Sequence, residues 1–87
     1  MNAQTKKVVI YSTPGCSYCR LAKEFFGQNQ IEYQDHNVAT DAARRQDMIN
    51  KSGQMGVPVI AISDPAGANE EIVIGFDEPH LRQLLGR

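Results

Sequence analysis

The sequence predicts an α/β protein, a four-stranded mixed sheet with three helices in the order β-α-β-α-β-β-α. Three observations predict it. The chain has 87 residues, which suits one domain spanning 1–87 and leaves no room for two. Short β-branched runs alternate with segments of helical period. The last two strand-like runs are joined by a short turn-rich stretch, which makes them an antiparallel hairpin rather than a crossover pair.

Each element follows in order. Val8-Val9-Ile10-Tyr11 is a β-branched run stopped by Ser12-Thr13-Pro14-Gly15. From Cys16 to about Asn29, Tyr18, Leu21, Ala22, Phe25 and Phe26 follow helical spacing, and Asn29-Gln30 end the helix without a glycine. Ile31, Tyr33 and His36–Val38 suggest a second strand. Thr40 and Asp41 look like an N-cap and a first-turn acid for a helix that runs to Lys51-Ser52, with Gly53 just past its end. Gly56-Val57-Pro58 breaks the chain before a third strand, Val59–Ile62. Asp64-Pro65-Ala66-Gly67 turns it toward a fourth, Glu71–Ile74. Asp77 caps the last helix, Pro79 fits its first turn, and Leu81, Leu84 and Leu85 form its apolar stripe. The first β-α-β unit crosses over right-handed and so pairs its strands in parallel. Helices then cover both faces of the sheet.

Composition narrows the function. Hydrophobic residues are 41%, charged residues 22%, and the formal net charge is −1, so no basic excess is available to neutralise phosphates and nucleic acid is not an expected partner. No apolar run approaches the ~20 residues that a membrane helix needs, so no membrane association is expected. Met1–Lys7 carries no apolar signal-peptide core, and the expected location is cytoplasmic. A small secreted domain would carry several cysteine pairs as staples, whereas this chain has only Cys16 and Cys19. A bridge closing so small a loop adds little stability, so the pair points to chemistry.

The position of Cys16-Ser17-Tyr18-Cys19 is informative because it falls where the first strand hands over to the first helix. Unpaired N–H groups and the positive end of the helix dipole favour a thiolate there. Cysteines so placed have pKa values of roughly 3.5–7.5 instead of about 8.5. Cys16 is the expected exposed nucleophile and Cys19 the shielded resolving thiol. Two other readings stay open. Half of a zinc site would need two more ligands, and His36 and His80 lack zinc-finger spacing. An inert buried pair is disfavoured by the Pro14-Gly15 turn.

Tyr11 through Cys19, followed by Gly56-Val57-Pro58-Val59-Ile60 and Gly75-Phe76-Asp77, resembles the glutaredoxin family over about residues 7–86. The resemblance implies a thioredoxin-like fold and a thiol–disulfide oxidoreductase that reduces protein disulfides or glutathione mixed disulfides through the Cys16/Cys19 dithiol. It implies no bound cofactor and no metal, with glutathione as co-substrate. Expected partners are disulfide-bearing or glutathionylated proteins and, as electron source, glutathione or thioredoxin reductase. The expected state is a monomer. Two alternatives accompany it: a redoxin donating electrons, for example to ribonucleotide reductase, and a glutathione-dependent [2Fe–2S] carrier formed by two Cys16 thiolates from two chains.

The resemblance also assigns residues. Pro58 would be cis, turning the Val57 backbone toward Cys16 for pairing with substrate. Tyr18 would offer an aromatic face beside Cys16. Thr13 and Gln54 fall where the family binds a glutathione carboxylate, Thr13 replacing a lysine. Asp77 and Glu78 match paired acids at the glutamyl end. Glu78 in place of Asp, the bulk of Phe76 and the missing donor of Pro79 weaken that site.

Overall fold

The computed structural model describes residues 5–87; Met1–Gln4, most of the polar lead-in noted above, lie outside the described residues. Its elements are β1 (Lys7–Ser12), α1 (Ser17–Gln28), β2 (Gln34–Asn37), α2 (Ala42–Ser52), β3 (Val59–Ser63), β4 (Glu71–Ile74) and α3 (Glu78–Leu85). The strand order is β2-β1-β3-β4. β1 and β2 run parallel, while β1–β3 and β3–β4 are antiparallel. This is the mixed four-stranded sheet with three helices that the pattern predicts.

Local chemistry sets the element ends. Asp41, rather than the expected Thr40, caps α2 by accepting the Arg44 N–H at 3.0 Å, while the Thr40 hydroxyl turns back to the Asn37 carbonyl, so Asp41 is the cap and not a first-turn acid. Gly53, at φ 73°, closes that helix by donating its N–H to the Ile49 carbonyl. α1 ends differently: the Asn29 amide donates to the Phe25 carbonyl at 2.8 Å, and Gln30 takes the left-handed turn at φ 56°.

The sheet separates two apolar layers. Val8, Ile10, Ile60, Ile62 and Val73 face Ala22, Phe25 and Phe26 of α1 and Leu81 of α3. Tyr11, Val59 and Ala61 face Met48 of α2, with Val38 beside them. β3 is buried along its whole length, as a central strand covered on both faces must be. Removing those apolar side chains from water supplies the main drive to fold, at roughly 25 cal/mol per Å².

Two expectations need correction. Tyr18 and Leu21 are exposed (61% and 44%), so they do not belong to the buried stripe of α1. The stripe runs through Cys19, Ala22, Phe25 and Phe26. Tyr18 and Leu21 each lie one residue before a stripe position, about 100° around the helix, and so turn toward solvent. β2 is also shorter than the apolar pattern suggests. Its paired residues are the polar Gln34–Asn37 at the sheet edge, and Ile31 and Val38 are buried just outside them.

Candidate functional site

Cys16 is the N-cap of α1. Its extended backbone (φ −90°, ψ 113°) follows the Thr13-Pro14-Gly15 turn, in which the Cys16 N–H donates to the Thr13 carbonyl at 3.3 Å. In place of the usual capping oxygen, its sulfur accepts the Cys19 N–H at 3.1 Å. Cys16 and Cys19 are joined as a disulfide, with Cα atoms 5.2 Å apart. Cys16 is part-exposed, whereas Cys19 is buried at 1% exposure. One sulfur can therefore be approached from solvent and the other only from its partner.

The base of this turn is tied into the sheet. Ser12, buried at the end of β1, donates to Asp35 Oδ1 at 2.6 Å, and Asp35 pairs with Lys23 of α1 at 2.6 Å. β1, β2 and α1 are thus joined by one polar chain four residues before Cys16. On the opposite face, the buried Tyr11 donates its hydroxyl to Asp47 at 2.7 Å, linking β1 to α2. Burial, reinforced by that hydrogen bond and the Asp47 charge, holds the Tyr11 phenol well above the usual tyrosine range. His36 packs on Tyr11 with ring centroids 5.6 Å apart. Burial, and then the Arg44 charge, lowers its pKa below 6.5.

An open cleft of ≈ 340 Å³ lies beside the N-terminal turn of α1, lined by Tyr18, Val57, Pro58, Ile74, Gly75, Phe76 and Asp77. Asp77 is the single charged residue in that lining. The Val57–Pro58 peptide bond is cis. The Pro58 carbonyl accepts the Gly75 N–H at 2.8 Å, and Gly75 reaches that position with φ 80°, a conformation open to glycine. Neither the N–H nor the C=O of Val57 has a hydrogen-bond partner among the described residues.

Of the residues singled out in the sequence, the cleft brings together Tyr18, Val57, Pro58 and Asp77. It does not bring in the others. Thr13 contributes its carbonyl to the cysteine turn. The Gln54 amide bonds Gly56 at 2.7 and 2.9 Å. Glu78 pairs with Arg82 at 2.9 Å, one turn along α3. Ile74, Gly75 and Phe76 join the lining without having been assigned a site role. The Gly75-Phe76-Asp77 run was the available signal for them. A larger groove of ≈ 670 Å³ lies at the other end of β1, among residues such as Lys6, Ile31 and Tyr33, away from the sulfurs. Among the described residues no group of three or more His, Cys, Asp or Glu side chains could hold a metal ion. No described helix is long and apolar enough to cross a membrane.

A redox-active pair at a helix N-terminus, one sulfur exposed and one shielded, defines a thiol oxidoreductase built on a thioredoxin-like fold. The Glutaredoxin family profile matches residues 8–65. This chain belongs to the glutaredoxin family. It is 37% identical over 78 residues to an uncharacterised glutaredoxin-like 8.6 kDa protein in the rubredoxin operon of Clostridium pasteurianum, covering 90% of this chain and 96% of that one. It is 36% identical over 55 residues to glutaredoxin 3 of Escherichia coli K12, covering 63% and 66%. Among solved structures, the thioredoxin-like protein BC3987 superposes with a TM-score of 0.78 at 33% identity, covering 91% of this chain and 100% of that one. The glutaredoxin–glutathione complex of buckwheat shares the fold, with a TM-score of 0.65 at 22% identity over 90% and 68% of the two chains.

Proposed function

We propose that this protein reduces protein disulfides and glutathione mixed disulfides by dithiol exchange, as a monomer in the cytoplasm, with glutathione as co-substrate. The Cys19 N–H directed at the Cys16 sulfur is the observation that carries the reading. In the reduced protein, that donor and the positive end of α1 stabilise a Cys16 thiolate. The thiolate attacks one sulfur of the substrate disulfide, a new S–S bond forms, and the other substrate sulfur leaves as thiolate. Cys19, deprotonated, then attacks the Cys16 sulfur and expels the second substrate thiolate. Two electrons have passed to the substrate, and the Cys16–Cys19 disulfide is the oxidised end of the cycle. Val57 offers an unpaired N–H and C=O to an extended substrate segment, Tyr18 an aromatic face, and Asp77 a carboxylate for a cationic group such as the glutathione ammonium.

A second reading, a redoxin reduced by thioredoxin reductase, is favoured by the engagement of Glu78 with Arg82 and by the neutral Thr13. One assay separates the two. NADPH oxidation is followed with a disulfide substrate, once with glutathione and glutathione reductase and once with thioredoxin reductase. Turnover only with the second pair rejects glutathione as the donor. No turnover with either rejects the oxidoreductase reading.

A further inference from the structure

The loop between α2 and β3 contains a clamp that the exchange chemistry itself does not require. Gln54 folds its side chain over the residue two further on. Its Oε1 accepts the Gly56 N–H at 2.7 Å, and its Nε2 donates to the Gly56 carbonyl at 2.9 Å. The side-chain amide thus pairs with Gly56 through one donor and one acceptor, as a neighbouring strand would. Ser52 steadies the base: its hydroxyl donates to the Met48 carbonyl at 2.7 Å and accepts from Gln54 Nε2 at 3.4 Å. Gly56 fits this arrangement, because a Cβ there would lie 2.8 Å from Gln54 Oε1.

Val57 sits between two fixed points. Upstream is the clamped Gly56, and downstream is the Pro58 carbonyl bonded to Gly75. Its own N–H and C=O have no partner among the described residues, and it lines the cleft beside Tyr18. A substrate segment pairing with a loop already held in place loses less conformational entropy than one that must first order it. Gln54 Nε2 lies within hydrogen-bond distance of two acceptors of its own chain, the Gly56 carbonyl at 2.9 Å and the Ser52 hydroxyl at 3.4 Å, so a ligand carboxylate would have to compete with contacts already made.

We propose that Gln54 is a positioning residue whose amide, clamped on Gly56, presets the Val57 backbone for an extended disulfide substrate and takes no glutathione carboxylate. The proposal rests on the oxidoreductase reading above, with Val57 as the pairing edge. The test compares wild type and Gln54→Ala on two substrates. One is a synthetic peptide closed by an intramolecular disulfide, and the other is the mixed disulfide of glutathione with 2-mercaptoethanol. KM should rise about fivefold for both with kcat nearly unchanged, the scale of one net hydrogen bond. Amide hydrogen exchange at Gly56 should quicken in the same variant. Gln54→Glu, which keeps the acceptor for the Gly56 N–H and loses the donor, should fall between. A KM rise confined to the glutathione substrate makes Gln54 a ligand and overturns the proposal. A peptide KM in Gln54→Ala equal to that of an active wild type overturns it alone. No wild-type turnover on either substrate overturns it together with the reading beneath it.

Discussion

The Cys19 backbone nitrogen lies 3.1 Å from the Cys16 sulfur, so the residue whose own sulfur is buried also donates a hydrogen bond to the part-exposed one. The contact exists because the two positions are three apart at a helix N-terminus, where N–H groups lack intrahelical acceptors. Cys16 is the cap and Cys19 sits in the first turn. Exposure then divides their roles, since Cys19 is buried and Cys16 is reachable.

Substitution of the two cysteines should separate two activities. Cys16→Ser is expected to abolish both protein-disulfide reduction and deglutathionylation. Cys19→Ser should abolish the first and spare the second, since external glutathione can resolve the mixed disulfide. Steady-state rates on an insulin-type disulfide and on a glutathionylated thiol measure this. Loss of deglutathionylation in Cys19→Ser would contradict the proposed resolution by glutathione.

Asp77 combines two tasks that substitution can part. Its side chain accepts the His80 N–H at 3.3 Å as the α3 cap, and it supplies the one charge in the cleft lining. Asp77→Asn keeps a capping oxygen, so its melting temperature should stay near wild type while KM for a glutathione mixed disulfide rises. Asp77→Ala should in addition lose about 1 kcal/mol of stability in urea unfolding. Equal KM in Asp77→Asn and wild type would remove the carboxylate from substrate binding.

Tyr11→Phe tests the link between β1 and α2. The ring remains in the core, and the 2.7 Å hydrogen bond to Asp47 is lost. The expected cost is about 1 kcal/mol by chemical denaturation. A variant as stable as wild type would show that the hydroxyl holds nothing together.

His36 makes stability depend on pH. Its folded-state pKa is depressed below the ordinary 6.5, by burial first and the Arg44 charge second. The unfolded chain therefore binds the proton more readily. The contribution of neutral His36 is fully present above pH 6.5 and is lost as pH falls through the lower folded value. Urea midpoints should drop over that window, and His36→Gln should flatten the drop. An identical pH slope in the variant would assign the effect to other groups.

Much of this was legible in the chain order of residues. The helix stop at Gly53 and the start at Asp77 depend on capping within a few residues and occur where the local signal puts them, while the α2 cap falls on Asp41, one residue after the expected Thr40. Val59–Ile62 of the central strand β3 is one apolar run because both of its faces are covered. The pairing of the two cysteines follows from their spacing of three at the helix start.

Other features were settled only when distant segments met. Tyr18 and Leu21 have the same hydrophobic character as the buried stripe, yet helix phase relative to the sheet turns them outward. Gln54 and Glu78 are positions to which the family resemblance assigns ligand contacts, but in the folded chain their polar atoms meet Gly56 and Arg82, two and four residues along. The cleft itself joins α1, the Pro58 loop, the end of β4 and the cap of α3. Periodicity and capping are short-range and can be read along the chain. Which helix residues turn outward, and which surfaces form one wall, depends on packing across the sheet.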